Sequence, residues 1–310
     1  MTGDIWQQIF NYDNYGELLF LVRNSLIAGA MLGLVGGVIG TFVMMRDLPF
    51  AVHGVAELSF AGASAALLAG VNVAAGSLAG SIVAALIIGA LGVRARDRNS
   101  IIGVLMPFGL GLGVLFLALY KGRAANKFGL LTGQIVAVDT VQMTWLISTC
   151  LVVLIGLCVL WRPLTFASLD PDVAAARGVP VRTLSSLFMI LLGLSVAVSI
   201  QVVGALLVLA LLVTPAAAAM RVSASPGLVT LLSVVFALTS TLGGILLALG
   251  SSIPISPYVT TISFTIYIAC RGISALRIRA GDKPSGPFSA GEEAGLPSAP
   301  DMRRPSMHLR

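Results

Sequence analysis

The chain has 310 residues, 57% of them hydrophobic and only 10% charged, with a mean hydropathy of +0.98. Soluble domains carry about a quarter charged residues, so this composition excludes a soluble globular protein and describes one with most of its length in lipid. The formal charge of +6 comes with no basic patch interleaved with aromatics, which leaves nucleic acid out as a partner.

Residues 1–22 place Trp6, Phe10, Tyr12, Tyr15 and Phe20 among polar residues, the pattern of an interfacial leader lying at headgroup level. Apolar segments follow, each near the roughly twenty residues needed to span a bilayer. They fall at 23–45, 49–70, 76–94, 101–120, 139–161, 183–202, 204–220, 225–249 and 258–276. The first is too long for the apolar core of a signal peptide. The sixth and seventh nearly touch, so one of them is short, broken or re-entrant. The predicted fold is all-α: a polytopic membrane helical bundle of eight or nine spans within residues 23–279. From residue 280 the composition turns to Gly, Pro, Ser and charge, and residues 280–310 read as a disordered cytoplasmic tail. Cys150, Cys158 and Cys270 sit in apolar runs and read as packing residues, with no disulfide and no thiolate metal site.

Lys and Arg in the loops set the orientation. If the N-terminus is outside and each segment crosses once, fifteen of the 19 basic residues are inside, and only Arg23, Lys121, Arg123 and Lys127 are outside. The predicted topology is N-out, C-in. Glycines at three- and four-residue spacing, Gly29, Gly33, Gly36, Gly37 and Gly40 in the first span and Gly103, Gly109, Gly111 and Gly113 in the fourth, suit helices packed backbone to backbone.

The chain has no phosphate-binding loop of the G-x-x-x-x-G-K-[ST] type, so ATP hydrolysis by that route is not its own. It has no H-E-x-x-H and no pair of C-x-x-C motifs, and His53 is the one histidine outside the tail. With so little acid–base chemistry available, there is little from which to build an intramembrane enzyme. Three stretches carry the functional signal. In the second segment, His53 and Glu57 are four residues apart and share a helix face. With a helix starting at Pro49, Glu57 lies roughly 12 Å into the membrane and His53 roughly 6 Å. An imidazole and a carboxylate are plausible ligands for a divalent transition metal, and two ligands alone make a weak, open station. The plainer reading has Glu57 bonding to His53 or to a nearby hydroxyl, which would only fix the packing.

The second stretch is the loop from Phe166 to Thr183. Asp170 can cap a helix that Pro171 begins, Asp172 favours its positive end, Ala174 to Ala176 propagate it, and Gly178 with Pro180 ends it. The result is a short helix between two spans, which is either a surface connector or a docking helix for another protein. The third is Ser199 to Ala219, where Gln201, Gly204 and Pro215 interrupt the apolar run. Such interruptions line pathways in broken spans, although a simple Pro kink would look the same.

Taken together, MMRD leading into HGVAELSFAG, then DPDVAAARGVPV, then VVGALLVLALLVTPAAAA resemble the permease subunits of bacterial ABC importers for zinc and manganese, the ABC-3 metal permeases. The resemblance covers about residues 20–276. It implies a type II importer bundle in the bacterial cell membrane, paired with a second permease copy. Separate cytoplasmic ATP-binding subunits would supply the energy and an extracytoplasmic metal-binding protein the ion. The cargo would be zinc or manganese, with no permanently bound cofactor. Asp170, Asp172, Ala175 and Gly178 would belong to the helix that couples to the ATPase; Gln201, Gly204 and Pro215 would be pathway or gate residues. One departure stands out. His53 occupies the place of the family's Asp, Glu57 that of its His, and Ala61-Gly62 replaces its Pro-Gly. Two other transport classes fit the same features: a proton-coupled secondary carrier with Glu57 as relay, and an ABC permease for a metal chelate or cobalamin-type ligand.

Overall fold

In the computed structural model, residues 22–91, 95–122, 140–204, 207–249 and 255–279 are described. The tail and all of the leader except Val22 lie outside them. The described elements are helices: α1 (Arg23–Met45), α2 (Pro49–Ala69), α3 (Val73–Leu91), α4 (Ala95–Leu119), α5 (Thr140–Leu169), α6 (Pro171–Ala176), α7 (Val181–Val203), α8 (Val208–Leu212), α9 (Thr214–Val222), α10 (Pro226–Ala248) and α11 (Ile255–Arg279). Among them, α1–α5, α7, α10 and α11 are long and apolar enough to cross a membrane, eight in all. The seventh predicted segment is the exception. It is divided into α8 and α9, an apolar stretch of 208–222 too short to count as a full span. Eight of the nine predicted segments are thus long enough to span, and the seventh is two short helices.

The helix ends follow local chemistry. Pro49 stands in the first turn of α2, where a missing N–H costs nothing, and Gly70, left-handed at φ 70°, ends it. Asn72 Oδ1 then accepts from the backbone N–H of Ala74 at 2.8 Å and Ala75 at 3.2 Å, starting α3. The turn between α1 and α2 is tighter still: Asp47 holds φ 53°, a conformation an L side chain rarely adopts. The fifth span differs from its predicted bounds. α5 runs on through Arg162, Pro163 and Phe166 to Leu169, about 45 Å, well past the roughly 30 Å of hydrocarbon. The loop predicted from Phe166 therefore begins only at Asp170.

α1, α2 and α7 form the buried centre, and α4, α5 and α11 show most of their surface outward. Glycines set the spacing. An added Cβ on Gly37 would meet the backbone of Val234 at 2.5 Å, and one on Gly33 the Cα of Leu238 at 3.2 Å, so α10 lies antiparallel against α1 at backbone distance. Gly62, Gly76 and Gly80 make the same contact between α2 and α3, and Gly109 and Gly113 between α4 and α2. Gly103 and Gly111 break the expected pattern, since a Cβ on either would meet nothing within 4 Å. They lie on the open side of α4. Hydroxyls add polar ties. Ser59 Oγ donates to the Ser77 carbonyl at 2.9 Å and lies 2.8 Å from Ser77 Oγ, which donates in turn to the Ala197 carbonyl at 3.2 Å. That relay joins α2, α3 and α7.

Candidate functional site

α2 is held on several sides by α3, α4, α7 and α8. Residue 57 is the ninth of its 21 residues, about 12 Å from its start and close to its middle. The predicted partners do meet: His53 Nε2 lies 3.5 Å from Glu57 Oε1. That separation is long for a hydrogen bond. Two ligands on one tetrahedral ion at about 2.1 Å each lie about 3.4 Å apart, so the observed edge is the size an ion would span. The Glu57 side chain is 11% exposed and the His53 side chain 33%, so the carboxylate is enclosed and the imidazole forms its open side.

The outer atoms of the pair matter as much. Among the described residues, His53 Nδ1 and Glu57 Oε2 are buried without a hydrogen-bond partner. A pair built only to fix packing would leave both unsatisfied, at about 1–3 kcal/mol each. Glu57 is also crowded by α4: a Cβ on Gly109 would lie 2.9 Å from the Glu57 carbonyl carbon. No group of three or more His, Cys, Asp or Glu side chains fit to hold a metal is found among the described residues. The pair offers two potential donor atoms, one nitrogen and one oxygen, and no third beside them among the described residues.

The interrupted stretch lies at the end of α7. Gly204 takes φ 81° and ψ 161°, which ends α7 after Val203, and its N–H bonds the Ile200 carbonyl. α8 follows, then a break at Val213, then α9 with Pro215 buried in its first turn. α8 and α9 descend beside α1: Gly36 faces Leu211, and Gly40 faces Leu212 and Ala216. Among the described residues, Gln201 has no hydrogen bond to a neighbouring helix. Its Nε2 donates to the Ala197 carbonyl one turn back, at 3.3 Å.

The connector forms as its sequence dictates. Asp170 Oδ1 accepts from Asp172 N–H at 3.2 Å and Val173 N–H at 3.0 Å, capping α6. At the other end, Gly178 at φ 82° lets its N–H reach the Ala175 carbonyl and that of Val179 the Ala174 carbonyl, each at 3.0 Å. Ala174 is buried, while Asp170, Asp172, Val173, Ala175 and Gly178 are exposed. Arg177 lies over the Phe166 ring, 6.0 Å from its centroid, and ties α6 to the last turn of α5.

One cluster escaped the sequence reading. At the α1–α2 turn, Arg46 Nη2 donates to Ser185 Oγ at 2.8 Å and its guanidinium lies 5.4 Å above the Phe188 ring. Phe42 packs edge-on against Trp161 at 5.1 Å and Phe188 at 6.2 Å. These contacts fasten the end of α1 to α5 and α7, the two helices that flank α6. The MMRD run pointed to the place, but nothing in one sequence pairs Arg46 with Ser185, 139 residues away.

The chain as a whole is similar to known proteins. Residues 19–272 match the model of the ABC 3 transport family. The chain is 28% identical over 225 residues to the manganese transport system membrane protein MntC of Halalkalibacterium halodurans, covering 72% of this chain and 77% of that one. It is 23% identical over 253 residues to the high-affinity zinc uptake system membrane protein ZnuB of Haemophilus influenzae, covering 81% and 96%. Among solved structures, PsaBC from Streptococcus pneumoniae in complex with Fab superposes with a TM-score of 0.73 at 24% identity, covering 81% of this chain and 90% of that one.

Proposed function

Because the chain belongs to the ABC 3 transport family, we propose that it is the membrane-spanning permease of an ATP-binding-cassette importer that carries manganese or zinc into a bacterial cell. The observation that carries the metal reading is the His53–Glu57 pair: an imidazole and a carboxylate 3.5 Å apart near the middle of a span, each with a further buried atom unbonded. The ion is the cargo. It would pass between Nε2 and Oε1, and two protein ligands bind it loosely enough to release it. His53 precedes Glu57 from the α1–α2 end of the bundle, so the more exposed ligand stands on the side where an imported ion would be released.

The loop arginines support N-out, C-in, which puts the α1–α2 turn, α6 and the end of α9 in the cytoplasm. On that orientation α6 docks on a separate ATP-binding subunit through its exposed face, with Asp170, Asp172, Ala175 and Gly178 fixing its form. Movement of α6 would reach the pair through α5 and α7, then Phe42 and Arg46, then the strained turn into α2. Gly204 and Pro215 would be the flexible points of the broken span. A second permease copy and an extracytoplasmic metal-binding protein complete the assembly. The exchange of ligand order keeps one nitrogen and one oxygen donor, so a path for either metal survives it.

The test is metal-dependent uptake in cells starved by a chelator, comparing the unmodified chain with Glu57→Gln and His53→Gln at equal membrane levels. Uptake that persists under an uncoupler but is lost without the ATP-binding subunit supports the proposal. Uptake that stops with the uncoupler and needs no such subunit identifies a proton-coupled carrier instead.

A further inference from the structure

The face of α2 that carries His53 and Glu57 carries a third polar side chain. Ser64 follows Glu57 by seven residues, two turns on, and falls within about 20° of it around the helix axis. His53, Glu57 and Ser64 together occupy a stripe about 40° wide. Ser64 is fully buried, and among the described residues its Oγ has no hydrogen-bond partner. The fourth polar side chain of α2, Ser59, lies on the opposite face and is bonded to Ser77. So the one polar group off the stripe is satisfied, and each of the three on it has a buried atom left over: His53 Nδ1, Glu57 Oε2 and Ser64 Oγ.

A serine in a helix has the carbonyl four residues back within reach. Thr41 on α1, Ser195 and Ser199 on α7 and Ser240 on α10 all donate to that carbonyl, at 2.7 to 3.1 Å. Ser64 leaves the equivalent Phe60 carbonyl unused. Leaving a buried hydroxyl unbonded is unfavourable, and an alanine would pack in the same place without that loss. The hydroxyl is also remote from the pair. Seven residues of helix put it about 10 Å along the axis from Glu57, too far to share one ion with it. Between them on this face stands only the small Ala61.

We propose that Ser64 is an outer station of the ion path, whose hydroxyl replaces one water of an entering hydrated divalent cation before the ion reaches Glu57. The proposal rests on the reading of the chain as a metal permease with its N-terminus outside. α2 then runs outward from the cytoplasmic turn, and Ser64, about 8 Å from its outer end, precedes Glu57 for an imported ion. A neutral hydroxyl is a hard oxygen donor, suited to manganese and too weak by itself to retain it. Ser64 is sealed here while the His53 side chain is 33% exposed, so the ion meets the hydroxyl when the outer half of the bundle opens.

The test is uptake of radioactive manganese and zinc into vesicles holding the complete importer. Ser64→Ala raises the KM for manganese about fivefold, the size of one neutral hydrogen bond, and leaves the maximal rate within about twofold. Ser64→Cys exchanges oxygen for a softer sulfur and shifts the ratio of the two KM values in favour of zinc. A second measurement holds even if Ser64→Ala fails to fold. In a chain whose Cys150, Cys158 and Cys270 are changed to alanine, Ser64→Cys reacts with a membrane-impermeant thiol reagent from outside during ATP turnover, and manganese slows the reaction. An unchanged manganese KM in Ser64→Ala, with normal uptake by the unmodified importer, overturns this proposal alone. So does labelling that is absent during turnover or indifferent to manganese. Failure of the unmodified importer to take up either metal overturns the permease reading, and this proposal with it.

Discussion

Removing both caps of α6 should weaken the hold on the ATP-binding subunit far more than its surface chemistry suggests. A helix of six residues is unstable by itself in water. This one is kept by the Asp170 carboxylate on two N–H groups, by Gly178 in the left-handed region, by the buried Ala174 and by Arg177 over Phe166. Asp170→Ala removes the cap, at about 1 kcal/mol. Gly178→Ala puts a Cβ on a residue at φ 82°, at about 1 kcal/mol or a little more. A Cβ there meets nothing within 4 Å, so the cost is conformational and not steric. The two sites cap opposite ends and should add, to about 2 kcal/mol, or up to about 30-fold in the population of formed helix. If docking requires the formed helix, apparent affinity falls by the same factor. The assay is titration of the ATP-binding subunit onto permease in nanodiscs, with Asp170→Asn as a cap-retaining control. Unchanged affinity in the double variant, with the permease still folded, would refute the argument that α6 is read as a helix.

Other parts of the account make their own predictions. Gly80→Val places a side chain against the backbone of Leu58 and Ser59 and should lower the thermal midpoint in detergent, with an overpacking cost of about 1–3 kcal/mol; Gly111→Val, on the open side of α4, should leave it unchanged. Arg46→Gln loses the bond to Ser185 and the contact with Phe188; it should uncouple ATP hydrolysis from uptake while the ATP-binding subunit still binds, and tight coupling in that variant would remove Arg46 from the transmission path. Ser77→Ala removes the hydroxyl that meets Ser59 Oγ and donates to the Ala197 carbonyl, leaves the bond from Ser59 to the Ser77 carbonyl, and should cost about 0.6 kcal/mol per lost bond in reversible unfolding. Single cysteines at Asp172 and at Lys121 should react with a membrane-impermeant thiol reagent from opposite sides, Lys121 from outside the cell, and the reverse pattern would invert the orientation.

What could be read from the sequence, and what could not, follows from what hydropathy measures. The bounds of α2 were visible because a proline opens it and a left-handed glycine closes it, and both signals are local. α6 was visible for the same reason, its cap, first-turn proline and terminal glycine lying within nine residues. The end of α5 was not. The apolar run stops near Trp161, but the hydrogen-bonded helix continues to Leu169, and hydropathy does not register where hydrogen bonding ends. Nor could composition separate the packed from the open glycines of α4, since both sides of that helix are apolar and only the neighbour, α2, distinguishes Gly109 from Gly111. At the site, the spacing of His53 and Glu57 gave their shared face. The enclosure of Glu57 by Gly109, and the tie from Arg46 to Ser185, depend on contacts between distant segments.

The central claim, that the ion passes between His53 and Glu57, is tested most directly by ATP-driven uptake of radioactive manganese and zinc into vesicles holding the complete importer. Glu57→Gln keeps the shape of the side chain and removes its charge. The account predicts at least a tenfold loss of uptake, comparable to the loss on disturbing a metal site's ligand environment, with the ATP-binding subunit still bound. Uptake by Glu57→Gln equal to that of the unmodified chain for both metals would contradict it.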